Sequence, residues 1–188
     1  MRKGTKILLF SDTWATLALG MIGPIYAIFV QKIGGDILDA SWAYFAFMIT
    51  SGVVMYLIGK WEDKVKHKEK LVVGGYMLTS VGAFSYIFVD SQFTLVLTEV
   101  ILGLGEALLI PAFDALYSDF LDKKEEASEW GAEESMIYAV TAIAALLGGY
   151  IASTFGFTTV FVVMFFISLV SVFSSINLLR KKKYLMGH

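Results

Sequence analysis

The sequence predicts an all-α membrane protein with six transmembrane helices arranged as two inverted three-helix repeats, and three observations carry that prediction. Fourteen of the fifteen Lys and Arg residues fall in four clusters that six apolar stretches place on one side; only Lys32 lies on the other. Of the 188 residues, 57% are hydrophobic and 17% are charged, too apolar for an ordinary soluble domain. The two prolines, Pro24 and Pro111, lie in the first and fourth stretches, each twelve residues after a carboxylate, Asp12 and Glu99.

Lipid offers the backbone no hydrogen-bond partner, so a spanning segment closes its own bonds as a helix, and about 20 residues cross a core of about 30 Å. The spans read as 7–30, 41–59, 71–89, 93–116, 132–155 and 157–179. The first carries a basic flank of Arg2, Lys3 and Lys6. Its length, its internal Gly23-Pro24 and the lack of a small-residue cleavage pattern mark a retained helix rather than a secretory signal. Trp42 opens the second span at the outer interface, and Trp61 and Trp130 sit at inner ends, as an interfacial aromatic belt requires. Five lysines between Lys60 and Lys70 precede the third span, and Lys123 and Lys124 follow the fourth. Glu133 and Glu134 suit the positive amino end of the fifth helix. The sixth is uncharged, with a stripe of Ser168, Ser171 and Ser175 suited to helix packing. A basic tail, 180–188, ends a single six-helix domain with repeats of approximately 7–89 and 93–179.

Short loops rich in Lys and Arg stay cytoplasmic during insertion, so both ends face the cytoplasm, and a cytoplasmic (inner) membrane is the expected location. Because three crossings separate the repeats, Asp12 lies toward the cytoplasmic side and Glu99 toward the outer side. Matching interruptions at Pro24 and Pro111 would mark a binding region, as paired interruptions do in inverted repeats. A carboxylate at membrane depth costs roughly 2.5–3.5 kcal/mol on insertion scales, so it faces a cavity or a partner. Glu99 and Glu106 are separated by nearly two helical turns and share a face, about 10 Å apart along the axis, with Gly103 between them.

The absence of cysteine excludes disulfides and thiolate chemistry. No nucleotide-binding glycine loop, metal-ligand cluster or catalytic triad appears, so no cofactor, metal or enzymatic reaction is expected, and no nucleic-acid partner either.

The loop from Gly59 through Lys60, Trp61, Glu62, Asp63, Lys64, Val65, Lys66 and His67 to Lys68 resembles the cytoplasmic signature of the major facilitator superfamily. That signature runs Gly, three residues, Asp, a basic residue, any residue, Gly, then two basic positions. Lys66 replaces the second Gly, and His67 one basic position. In the fourth span, Glu99 through Gly103, Gly105 and Ala107 is similar to the family's Arg-x-x-x-Gly-x-Gly-x-Ala, with Glu99 at the Arg position. Pro111 and Asp119 follow it. The fifth span has Gly131, Val140, Ala144-Ala145 and Gly148-Gly149 where antiporter members have Gly, Gly, Gly-Pro and Gly-Gly.

The resemblance implies one amino-terminal-type half of a major-facilitator fold. It also implies secondary transport of a small solute by alternating access, coupled to protons or another ion. In such a half the first and fourth helices line a central cavity. Asp12, Glu99, Glu106 and Asp114 are then the candidate substrate or proton ligands, with Tyr26 and Tyr138 as aromatic lining. The acidic interior suits a cationic or neutral solute. Gly59, Asp63, Lys64, Lys68 and Asp119 correspond to the cytoplasmic gate, while Gly23, Pro24, Gly103, Gly105, Pro111, Gly148 and Gly149 are candidates for bends and close packing. Partners are membrane lipid, a small-molecule substrate, protons and a second copy of the chain in a parallel homodimer. The alternatives are an isolated half of a twelve-helix transporter and a non-transporting membrane scaffold or assembly protein.

Overall fold

The computed structural model describes residues 1–180. The basic tail beyond Arg180, including Lys181 to Lys183, therefore lies outside the described residues. Among the described residues, six helical spans are long and apolar enough to cross a membrane: Lys3–Lys32, Ile37–Glu62, Lys68–Phe88, Gln92–Phe120, Glu126–Phe155 and Phe157–Leu179. The first span is divided. Helix α1 (Lys3–Gly20) ends before a 3-10 turn at Gly23–Ile25, and α2 (Tyr26–Lys32) completes the crossing. The other helices are α3 (Ile37–Glu62), α4 (Lys68–Ser85), α5 (Gln92–Phe120), α6 (Glu126–Phe155) and α7 (Phe157–Ser175).

Local chemistry sets the ends. Asp36 and Asp39 form a reciprocal capping box for α3: the backbone N–H of Asp39 donates to Asp36 Oδ1, and that of Asp36 to Asp39 Oδ2, each at 2.9 Å. Ser91 and Thr94 start α5 in the same way. Gly156, at φ 85°, ends α6 and starts α7 in one residue, a left-handed conformation that a side chain resists.

The prolines behave differently, which corrects the expectation of matched interruptions. Pro24 breaks the first span, where Gly20 and Gly23 already weaken helical preference. Pro111 lies within an unbroken α5, flanked by leucines, Ile110 and Ala112 that hold the helix. The fifth span also begins earlier than its apolar pattern. The acids of its first turn are Glu126 and Glu129, so Glu133 lies two turns inside and is buried instead of serving the helix end.

The most extensive packing pairs of the spans map onto one another when the first, second and third are exchanged with the fourth, fifth and sixth. Helix α5 packs on α3 and α4, α1 packs on α6 and α7, and α4 packs on α7. Two clusters fill the interior. One gathers Leu8, Tyr76, Phe113, Tyr117, Phe120 and Leu178; the other gathers Met21, Phe29, Tyr86, Leu102, Phe161 and Met164. The serine stripe of α7 is buried, and Ser174 hydrogen-bonds Ser11 of α1 at 2.8 Å. Helices α3 and α6 stand apart: only 11% of each central stretch is buried, against 33–56% in the other spans.

Small residues permit the closest approaches. A Cβ on Gly148 would collide with the Met21 carbonyl, and one on Gly103 would meet the Phe47 carbonyl at 2.7 Å. Gly105 packs as tightly against Thr79, whereas Gly149 has open space. Gly148→Leu is therefore expected to lose about 1–3 kcal/mol through overpacking, while Gly149→Ala stays near wild type. Thermal unfolding of the two variants in detergent measures the difference.

Candidate functional site

The Pro24 break turns α2 so that Tyr26 faces α5. Its hydroxyl donates to Glu99 Oε1 at 2.7 Å, and the Tyr86 hydroxyl donates to the same oxygen at 2.7 Å. Tyr86 sits in the 3-10 turn that ends the third span, and its ring stacks on Phe161 with centroids 5.1 Å apart. Glu99 is 4% exposed, and this pair of hydroxyls supplies the hydrogen bonding that a buried carboxyl needs.

Glu99 and Glu106 line one cavity of about 270 Å³ with Tyr26, Tyr44, Phe47 and Tyr86; Leu19, Ile22, Gly23 and Leu102 complete its wall. Two carboxyls and four aromatic rings thus surround one space. A cation held there would meet both carboxylate charge and ring faces, and an aromatic face attracts a cation by about 0.5–2 kcal/mol. Gly103, placed by spacing alone on the acid face, instead packs on α3, where its carbonyl accepts the Ser51 hydroxyl at 3.3 Å.

A second acidic group lies toward the other end of the bundle. Asp12 accepts the Tyr76 hydroxyl at 3.2 Å and the Thr16 hydroxyl at 3.5 Å. Glu133 and Asp114 are within electrostatic reach of Asp12. Asp12 and Glu99, equivalent in the proline register, therefore each accept a tyrosine hydroxyl from the third span. Asp114 is exposed on α5. Tyr138 is 74% exposed on α6 and lies outside the Glu99 cavity.

Sequence reasoning missed Tyr86 and Glu133. Counting Glu126 and Glu129 as first-turn acids would have moved Glu133 into the interior; no spacing rule picks out Tyr86.

At the end of α3, the Asp63 backbone N–H donates to the Gly59 carbonyl at 3.0 Å. The Asp63 carboxylate is exposed and takes no hydrogen bond or ion pair among the described residues. Beside it, Glu62 is buried with both carboxylate oxygens unpartnered. Lys64 is exposed and Lys68 opens α4. The Asp119 carbonyl accepts Arg2 Nη1 at 3.4 Å. Glu129 is a buried anchor: it pairs with the Met1 amino group at 3.0 Å, and its carbonyl accepts the Tyr117 hydroxyl at 2.6 Å.

Among curated proteins, the chain is 25% identical over 170 residues to the multidrug resistance protein MdtG of Dickeya zeae, covering 88% of this chain and 41% of that protein. It is 22% identical over 184 residues to the riboflavin transporter RibZ of Clostridioides difficile, covering 89% and 39% respectively. It is also 22% identical over 152 residues to the quinolone resistance protein NorA of Staphylococcus aureus, covering 81% and 39%. The chain thus spans about two fifths of the length of these relatives. A family model described as the Major Facilitator Superfamily matches residues 8–184. With six apolar spans and a match over nearly its whole length, the chain belongs to the Major Facilitator Superfamily.

Proposed function

We propose that the chain is one half of a secondary active transporter that moves a small cationic or neutral solute by alternating access. The observation that carries this reading is the cavity in which Glu99 and Glu106 face four aromatic rings, with no Lys or Arg in its wall. Membership of the family and the names of the relatives, which concern drug resistance and riboflavin transport, favour a transported small molecule. Carboxyls at membrane depth mark ion and proton paths, so the coupling ion and the substrate compete for, or share, Glu99 and Glu106.

The working unit is a parallel homodimer in an inner membrane with both termini cytoplasmic. The sparsely buried helices α3 and α6 form the face that the second copy covers. Two copies inserted by the same charge rule are related by an axis along the membrane normal, the relation that two halves of this type require. The test is gradient-driven uptake or efflux in proteoliposomes against a panel of cations, sugars and drugs. Cation-competed flux supports the reading; no flux of any solute by a folded, dimeric protein rejects it in favour of a scaffold.

The exposed Asp63 is free to pair with the opposing copy across the cytoplasmic face. Asp63→Asn removes one charge-assisted contact, worth roughly 1.5–3 kcal/mol, from the outward-open state. The variant is therefore expected to shift the population toward the inward-open state by about tenfold or more. Spin-label distances across that face read the shift, and an unchanged distribution counts against the latch.

A further inference from the structure

A further cavity is separate from the acidic one. It measures about 580 Å³ and lies where the α3–α4 loop, the end of α5 and the end of the sixth span meet. Its rim carries Lys66, Lys68, Lys70 and Arg180, and its floor is apolar: Leu116, Phe120 and Leu178 are buried. Two carboxylates, Glu69 and Asp119, also border it, but Glu69 is held by His67 Nδ1 at 2.9 Å. The net charge of the rim is positive. All three segments end at the same side of the bundle, so the cavity sits at the depth where lipid headgroups meet acyl chains.

A basic rim over an apolar floor at that depth matches an amphiphile with a negative head and an apolar body. We propose that this cavity binds an anionic phospholipid, its phosphodiester held by Lys66, Lys68, Lys70 and Arg180, its proximal chain seated on Leu116, Phe120 and Leu178. A free phosphate would use only the rim and leave the floor wet. The orientation proposed above makes the cytoplasmic leaflet the source. Bound lipid would tie the loop carrying Asp63 to the ends of α5 and the sixth span, and transport need not occur for it to bind.

The test is native mass spectrometry of the full chain released from nanodiscs of mixed phosphatidylglycerol and phosphatidylcholine. Wild type should retain phosphatidylglycerol in preference to phosphatidylcholine, and added glycerol phosphate should not displace it. Lys66→Gln with Lys70→Gln should weaken retention roughly 30-fold, given about 1 kcal/mol for each cation. Lys66→Arg with Lys70→Arg should restore it, while Lys123→Gln with Lys124→Gln, outside the cavity, should retain lipid as wild type does. Equal retention of phosphatidylcholine, displacement by glycerol phosphate, an unaffected glutamine variant, a failed arginine rescue, or an equal loss in the Lys123 and Lys124 variant would each overturn the proposal.

Discussion

Replacing Glu99 and Glu106 together by glutamine is expected to abolish gradient-driven flux, with a loss of at least about 100-fold in initial rate. Each substitution keeps the size of the side chain and its capacity to accept a tyrosine hydroxyl, so the hydrogen bonds from Tyr26 and Tyr86 to position 99 can persist. What disappears is the negative charge and the exchangeable proton. Losing about 3 kcal/mol of cation binding, the order of one or two charge-assisted contacts, accounts for a fall of that size. Helix content and thermal stability should stay close to wild type, because neither acid holds an ion pair with another span among the described residues. Initial rates in proteoliposomes, read beside circular dichroism of the same preparation, check both halves of the expectation. Full transport by the double variant would make these acids structural.

The second large effect is an all-or-none labelling pattern. Cysteine introduced for Lys66 or Lys124 should react with an impermeant reagent only after the membrane is opened, whereas cysteine for Asp90 should react in intact cells. The chain has no cysteine of its own, so the background is clean. All three positions are exposed at the ends of spans. The physical cause is the bias that holds short Lys- and Arg-rich loops on the cytoplasmic side, acting here on every even-numbered loop and both termini. Labelling of residue 66 from outside correctly inserted protein would reverse the orientation and move the proposed lipid site to the other leaflet.

The sequence made the spans legible because hydropathy and charge are local properties. It read the sixth span to its final boundaries, 157–179, since Gly156 and the basic tail bracket it. It placed the start of the fifth span six residues late, at Ala132 rather than Glu126, because a helix continues past the lipid wherever charged residues such as Glu126 and Glu129 favour its first turn. The shared face of Glu99 and Glu106 followed from helical period alone. Where other residues come to lie did not, because that depends on neighbours distant in sequence: Gly103 turns to α3, and Tyr138 is exposed outside the Glu99 cavity. The partners of Glu99 were legible only in part: Tyr26 could be suspected from its place after Pro24, but Tyr86 reaches the acid through a terminal 3-10 turn.

The central claim is that two copies face each other across one shared cavity, and disulfide trapping tests it most directly. Tyr56 and Tyr138 are 81% and 74% exposed on the two sparsely buried helices, α3 and α6. Tyr56→Cys with Tyr138→Cys, oxidised in native membranes, should yield a covalent species of twice the 20.8 kDa chain mass, formed between copies. A protein that remains at the mass of one chain under the same oxidation, and still drives flux when reconstituted, would contradict the account.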